Sequence, residues 1–146
     1  MQVDLGIWYN RDVDVLVTGE ALLEIRALGI IGPGAPAWGF LIGHRRGPRF
    51  FVEKILTAGR SDPDSTVRRF RETEGLWPGR VVGLYAVRPG SDIKRAVLGP
   101  FFYGKLFIEL RFARKGAVIR PFVVEFADRF RFEPIPLQPP AGRKSR

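Results

Sequence analysis

The 146-residue sequence predicts one α+β domain, a mixed central sheet flanked by helices, over residues 1–134, followed by a Pro-rich and basic tail over residues 135–146. Three observations carry this expectation. Apolar runs of strand length, bounded by Gly and Pro, recur along the chain. Two segments between them repeat apolar residues at helical spacing instead. The composition, 45% hydrophobic and 27% charged, is that of a chain able to bury a core, since disorder combines high net charge with low hydrophobicity.

Residues 13–17 read as a short strand. Thr18 is placed to cap a helix running to residue 28, because Ala21, Leu22, Ile25 and Leu28 share a face. Residues 29–36 are punctuated by Gly and Pro and predict a loop. The apolar runs 38–43 and 50–57 predict a hairpin around the polar segment from His44 to Arg49. Asp62-Pro63 has the form of an N-cap with proline at the first helical position, opening a helix to residue 74 with Val67 and Phe70 inward. Residues 80–87 are a nearly unbroken apolar run, the pattern of a central strand buried on both faces. Residues 105–114 and 117–126 alternate on either side of Lys115-Gly116, a second hairpin, and residues 129–132 predict a last strand. The prolines between 134 and 140 hold the end of the chain extended.

Composition excludes much chemistry. With no cysteine there is no disulfide, thiolate zinc site or cysteine nucleophile, and the single histidine, His44, cannot build a multi-histidine metal site. The first residues, Met1-Gln2-Val3-Asp4, are acidic where a secretory leader is basic, and no apolar run approaches the roughly 20 residues that cross a bilayer. The expectation is a cytoplasmic protein with no membrane contact.

Charge is unevenly distributed. The whole chain carries +9, yet residues 1–43 hold two arginines against five carboxylates, −3, and residues 44–146 hold 22 basic against 10 acidic residues, +12. Arg45, Arg46, Arg49, Arg68, Arg69, Arg71 and Arg88 are the candidates for binding an anion or a partner, arginine being suited to bidentate carboxylate and phosphate contacts. Gly29, Gly32 and Gly34 lack the Gly-Lys-Ser/Thr of a phosphate loop and lead into a strand. His44 reads as a solvated turn histidine, and the pairs Asp62/Asp64 and Glu72/Glu74 read as helix-end and surface carboxylates.

The order strand, helix, loop, strand, hairpin partner, helix, buried strand resembles the JAMM/MPN metalloprotease family. Isopeptidases of that family carry a glutamate in E-x-x-G before the second strand, then H-x-H-P at the end of a central strand, then S-x-x-D. Here Pro36-Ala37-Trp38-Gly39 is similar to the first motif, with Pro36 in the glutamate's place. Ala86-Val87-Arg88-Pro89 is similar to the second, with Ala86 and Arg88 where two zinc-binding histidines would stand. Ala96-Val97-Leu98-Gly99 has the spacing of the third, with Ala96 for serine and Gly99 for aspartate.

The resemblance covers residues 13–126. It implies a JAMM/MPN-like, cytidine-deaminase-like sandwich. Because none of the five positions keeps its donor, it also implies a pseudo-protease with no catalytic residue, zinc or other cofactor. It further implies a scaffold role with a protein partner or as a homodimer, through the helix of residues 18–28 or an exposed hairpin edge. Arg88 is expected to fill the vacant site, paired with Asp92, Glu53 or another carboxylate, or to meet an anionic partner. The second reading is a basic nucleic-acid-binding α+β domain whose binding is weak, sequence-indifferent and salt-sensitive.

Overall fold

A computed structural model describes residues 13–31, 37–58, 63–88 and 90–138. In chain order its elements are β1 (Asp14–Val17), α1 (Gly19–Ile31), β2 (Ala37–Arg46), β3 (Arg49–Thr57), α2 (Thr66–Leu76), β4 (Val81–Val87) and α3 (Ser91–Val97). They continue with β5 (Leu106–Ala113), β6 (Gly116–Phe126), β7 (Phe130–Pro134) and β8 (Leu137–Gln138), and single 3-10 turns lie at Pro63–Ser65 and Pro100–Phe102. All eight strands join one mixed sheet in the order β7-β6-β5-β4-β2-β3-β1-β8.

Alternation gives this sheet two cores. On one face Leu41, Tyr85, Val87, Ile108, Leu110 and Val123 meet Ala21 and Ile25 of α1. On the other, Phe40, Ile42, Leu84, Ala86 and Phe107 meet Phe70 of α2, Ile93 and Val97 of α3, and Phe102. The central strand β4 serves both, and all seven of its residues are buried. Gly83 is glycine because a Cβ there would strike the Leu106 carbonyl of β5, and Gly39 because a Cβ would strike the Leu56 carbonyl and the Tyr85 ring.

The sheet is curled into a half-barrel. Helix α1 touches both β3 and β6, although β5, β4 and β2 lie between them. The chain also passes from one edge strand, β7, to the other, β8, across only Ile135 and Pro136. At that crossing Ile135 N–H donates to the Pro121 carbonyl of β6 and Val15 N–H donates to the Pro136 carbonyl. Twist summed over many strands makes such curling the natural outcome.

The expected fold class is therefore corrected. Among the described residues the chain is mostly β, with a curled eight-stranded half-barrel sheet and three α-helices, and not a helix-flanked α+β sandwich of the JAMM type. The expectation undercounted the strands. Residues 137–138, assigned to an extended tail, pair with β1, and His44 to Arg46, assigned to a turn, belong to β2, leaving only Gly47 and Pro48 between the strands. Helix α3 falls where no element was expected, and the second helix starts at Thr66, after the 3-10 turn. Asp62 and most of the 29–36 loop lie outside the described residues, while Gly29 to Ile31 extend α1.

Two local devices fix α1. Thr18 Oγ1 accepts the Ala21 N–H at 3.2 Å, the cap its position predicts. Strand β1 ends its pairing with β3 at Val52, and beyond that point Glu24 accepts the Ile55 N–H at 2.8 Å and binds Lys54 Nζ at 3.2 Å. The fully buried Tyr85 feels this carboxylate. Burial first, and Glu24 second, push its phenol well above the ordinary tyrosine range.

Candidate interaction surfaces

Of the positions singled out by the family resemblance, Ala86 and Arg88 stand at the C-terminal end of β4. Ala86 is 1% exposed and packs with Ile93 and Val97 of α3, so its methyl group is part of the second core. Ala96 lies on α3, Gly99 follows it, and both are half-buried, while Pro36 lies outside the described residues. Arg88 is exposed at φ 47°, the one non-glycine residue with positive φ among those described, and its N–H donates to the Leu110 carbonyl at 2.9 Å. Of its expected partners, Glu53 holds Arg80 at 2.6 Å and Asp92 holds Arg95 at 3.4 Å.

A carboxylate does stand beside Ala86. Glu109 is its register partner on β5, and its side chain, only 7% exposed, pairs with Lys94 of α3 at 2.9 Å and Arg120 of β6 at 4.0 Å. A buried carboxylate needs such partners, since an unpaired charge there would cost about 3–5 kcal/mol. Glu109 thus pins α3 to the sheet. Among the described residues no group of three or more His, Cys, Asp or Glu is placed to hold a metal ion.

The arginines divide into two groups. Arg45, Arg46 and Arg49 sit at the β2–β3 turn, and Arg68, Arg69 and Arg71 on α2. Arg49 is spent on a bidentate pair with Asp14, both bonds 2.9 Å, and this hydrogen-bonded carboxylate raises its pKa. Arg69 pairs with Glu72 at 3.7 Å. Arg45 and Arg46 lie over the Phe50 and Phe51 rings at 4.6 and 5.9 Å, and Arg71 lies over Phe101 at 5.3 Å. Arg68 is exposed on α2. His44 is a strand residue, stacked on Phe51 with centroids 4.8 Å apart and with Glu53 3.6 Å from its Nδ1.

Two surfaces combine order with exposure. The first is the outer face of α1, where Leu23 is 63% and Ile30 81% exposed, with exposed Ala27 between them. Positions i, i+4 and i+7 share one side of a helix, so these three make an apolar stripe opposite the buried Ala21 and Ile25. Of the helix's three charged residues Glu24 is turned to β3, leaving Glu20 and Arg26 to solvate the outer side.

The second surface lies around the start of β5 and the β6–β7 turn. Phe101, Tyr103 and Phe126 are 39%, 56% and 53% exposed. Sequence reasoning singles out no residue here, because phenylalanine in and beside strands ordinarily belongs to a core. A signal was present in Pro100-Phe101-Phe102-Tyr103-Gly104, where three aromatics are enclosed by turn residues and cannot alternate as a strand does.

No protein-family model matches the chain, and no curated protein matches it. Among solved structures it is similar to the solution structure of protein DSY2949 from Desulfitobacterium hafniense, with a TM-score of 0.58 and 18% identity, covering 89% of this chain and 97% of that one. At that identity the likeness is one of fold.

Proposed function

We propose that the chain is a non-catalytic protein-interaction module that pairs with a second copy of itself through the outer face of α1. The observation that carries this reading is the apolar stripe of Leu23, Ala27 and Ile30 on a helix whose opposite face is already buried. A helix that is apolar on both sides ordinarily has both sides covered. A two-fold axis at Ala27 would set Leu23 of one copy against Ile30 of the other, a self-complementary arrangement with a small residue at the crossing.

Silence in catalysis is the other half of the proposal. The sequence has no cysteine and a single histidine, His44, which stacks on Phe51, and the buried carboxylate Glu109 is engaged by Lys94 and Arg120.

Sedimentation velocity over a concentration series tests the reading. The wild-type chain should show a reversible monomer–dimer equilibrium, and Leu23→Glu/Ile30→Glu should remain monomeric with unchanged thermal stability. A wild-type chain that stays monomeric throughout, or a double variant that dimerises equally, would overturn it.

A further inference from the structure

The aromatic surface around the β6–β7 turn is built and held, though left uncovered. Gly104 N–H donates to the Val124 carbonyl and Val124 N–H to the Lys105 carbonyl, at 2.8 and 3.0 Å, clipping the turn that bears Tyr103 to β6. Tyr103 then meets Phe130 at 6.5 Å between centroids, and Phe130 meets Phe126 at 4.9 Å. Beside them Phe101 packs nearly perpendicular to Phe70 at 5.5 Å. Rings locked by edge-to-face contacts lose little freedom when something stacks on them.

Cations border these rings. Arg71 lies over Phe101, Lys105 Nζ over Phe70 at 5.4 Å, and Arg129 is exposed in the turn between Phe126 and Phe130. None of the three pairs with a carboxylate among the described residues. Asp128, on the same turn, offsets one of them and leaves a surplus of two.

We infer that this surface binds single-stranded nucleic acid. Unstacked bases present the planar faces that exposed aromatics accept, and phosphates repeat along the strand as the cations repeat around the rings. A duplex hides its base faces. An acidic peptide offers charge with no planar partner for three exposed rings. The +12 carried by residues 44–146 adds long-range attraction for any polyanion.

Fluorescence anisotropy with a labelled oligodeoxythymidine of about a dozen nucleotides, a length within the range a single domain covers, tests the inference. Binding should weaken as salt rises, and a duplex of equal length should bind less tightly. Tyr103→Ala/Phe126→Ala should weaken binding about tenfold or more with the salt slope kept, as loss of stacking requires. Arg71→Gln/Lys105→Gln should flatten the slope by roughly 0.7 for each phosphate that is no longer neutralised. Arg71, Tyr103 and Phe126 are exposed and Lys105 is half-buried, and thermal melts check that the variants fold. Equal affinity for the duplex, wild-type affinity in the aromatic variant, or displacement by polyglutamate at equal charge would overturn the inference, the last assigning the surface to an acidic protein partner. Leu23→Glu/Ile30→Glu should bind the oligonucleotide as the wild type does, which keeps this site separate from self-association.

Discussion

Replacing Tyr85 with phenylalanine should stabilise the protein. Tyr85 is fully buried on the α1 side of β4, and its hydroxyl is the one buried side-chain polar atom left without a hydrogen-bond partner among the described residues. Burying an unsatisfied hydroxyl costs about 1–3 kcal/mol, and Tyr85→Phe removes that cost while keeping the ring that packs against Gly39. Part of the gain goes to the small void left behind, so the net expectation is about 1 kcal/mol, or a rise in Tm of roughly 3 °C for a chain of this size.

The same variant should change the alkaline limb of stability. The folded-state phenol is pushed up, so the folded chain keeps its proton where the unfolded chain, titrating near its ordinary value of about 10, has lost it. Tyr85's contribution is thus fully present below pH ~10 and is lost progressively as pH rises above it. Urea denaturation at several pH values reads both effects. Tyr85→Phe should raise the midpoint at neutral pH with unchanged m-value and fall less steeply above pH ~10. A variant destabilised by about 1 kcal/mol or more would mean that the hydroxyl is hydrogen-bonded after all.

Two further substitutions test local energetics. Arg88 holds a left-handed backbone at φ 47°, which costs a non-glycine residue about 1–2 kcal/mol, so Arg88→Gly should be more stable than Arg88→Ala by about 1 kcal/mol in urea. Equal stability of the two would remove backbone strain from the account. Lys94→Ala leaves the nearly buried Glu109 with only Arg120 at 4.0 Å and should cost about 2 kcal/mol, whereas Arg95→Ala, breaking a wholly exposed pair with Asp92, should cost under about 0.5 kcal/mol. Comparable losses would mean that Glu109 is better solvated than its burial implies.

What the sequence revealed depended on how local each signal was. Strand β4 was legible because seven successive buried residues need no partner to be recognised as central, and α1 because Thr18 and the spacing of Ala21, Leu22, Ile25 and Leu28 act within a few turns. Strand β8 was not legible. Its two residues are strand only because Val15 and Leu16, more than a hundred positions away, pair with them. Helix α3 spans seven residues, too few to show a period, and is held by the Lys94–Glu109 contact. With the strand count underestimated, the half-barrel could not be anticipated. The helical spacing that identifies the inner face of α1 carries no sign that Leu23 and Ile30 stay exposed, and residue type alone does not separate an exposed phenylalanine from a buried one.

The pairing of two α1 faces is directly measurable because the sequence has no cysteine. Burying the exposed parts of Leu23 and Ile30, 63% and 81%, from both copies supplies about 4–9 kcal/mol gross at 1.5–3 kcal/mol per side chain, before association costs, so the dimer should be weak and concentration-dependent. Ala27→Cys places one thiol at the proposed two-fold axis, where it meets its own copy, and a disulfide forms only when the two Cα atoms come within about 7 Å. Under mild oxidation at a concentration where dimer is populated, Ala27→Cys should convert to a disulfide-linked dimer far faster than Asp128→Cys, an exposed position on the β6–β7 turn, and adding Leu23→Glu/Ile30→Glu should abolish the difference. Equal, background-level cross-linking of Ala27→Cys and Asp128→Cys would contradict the account.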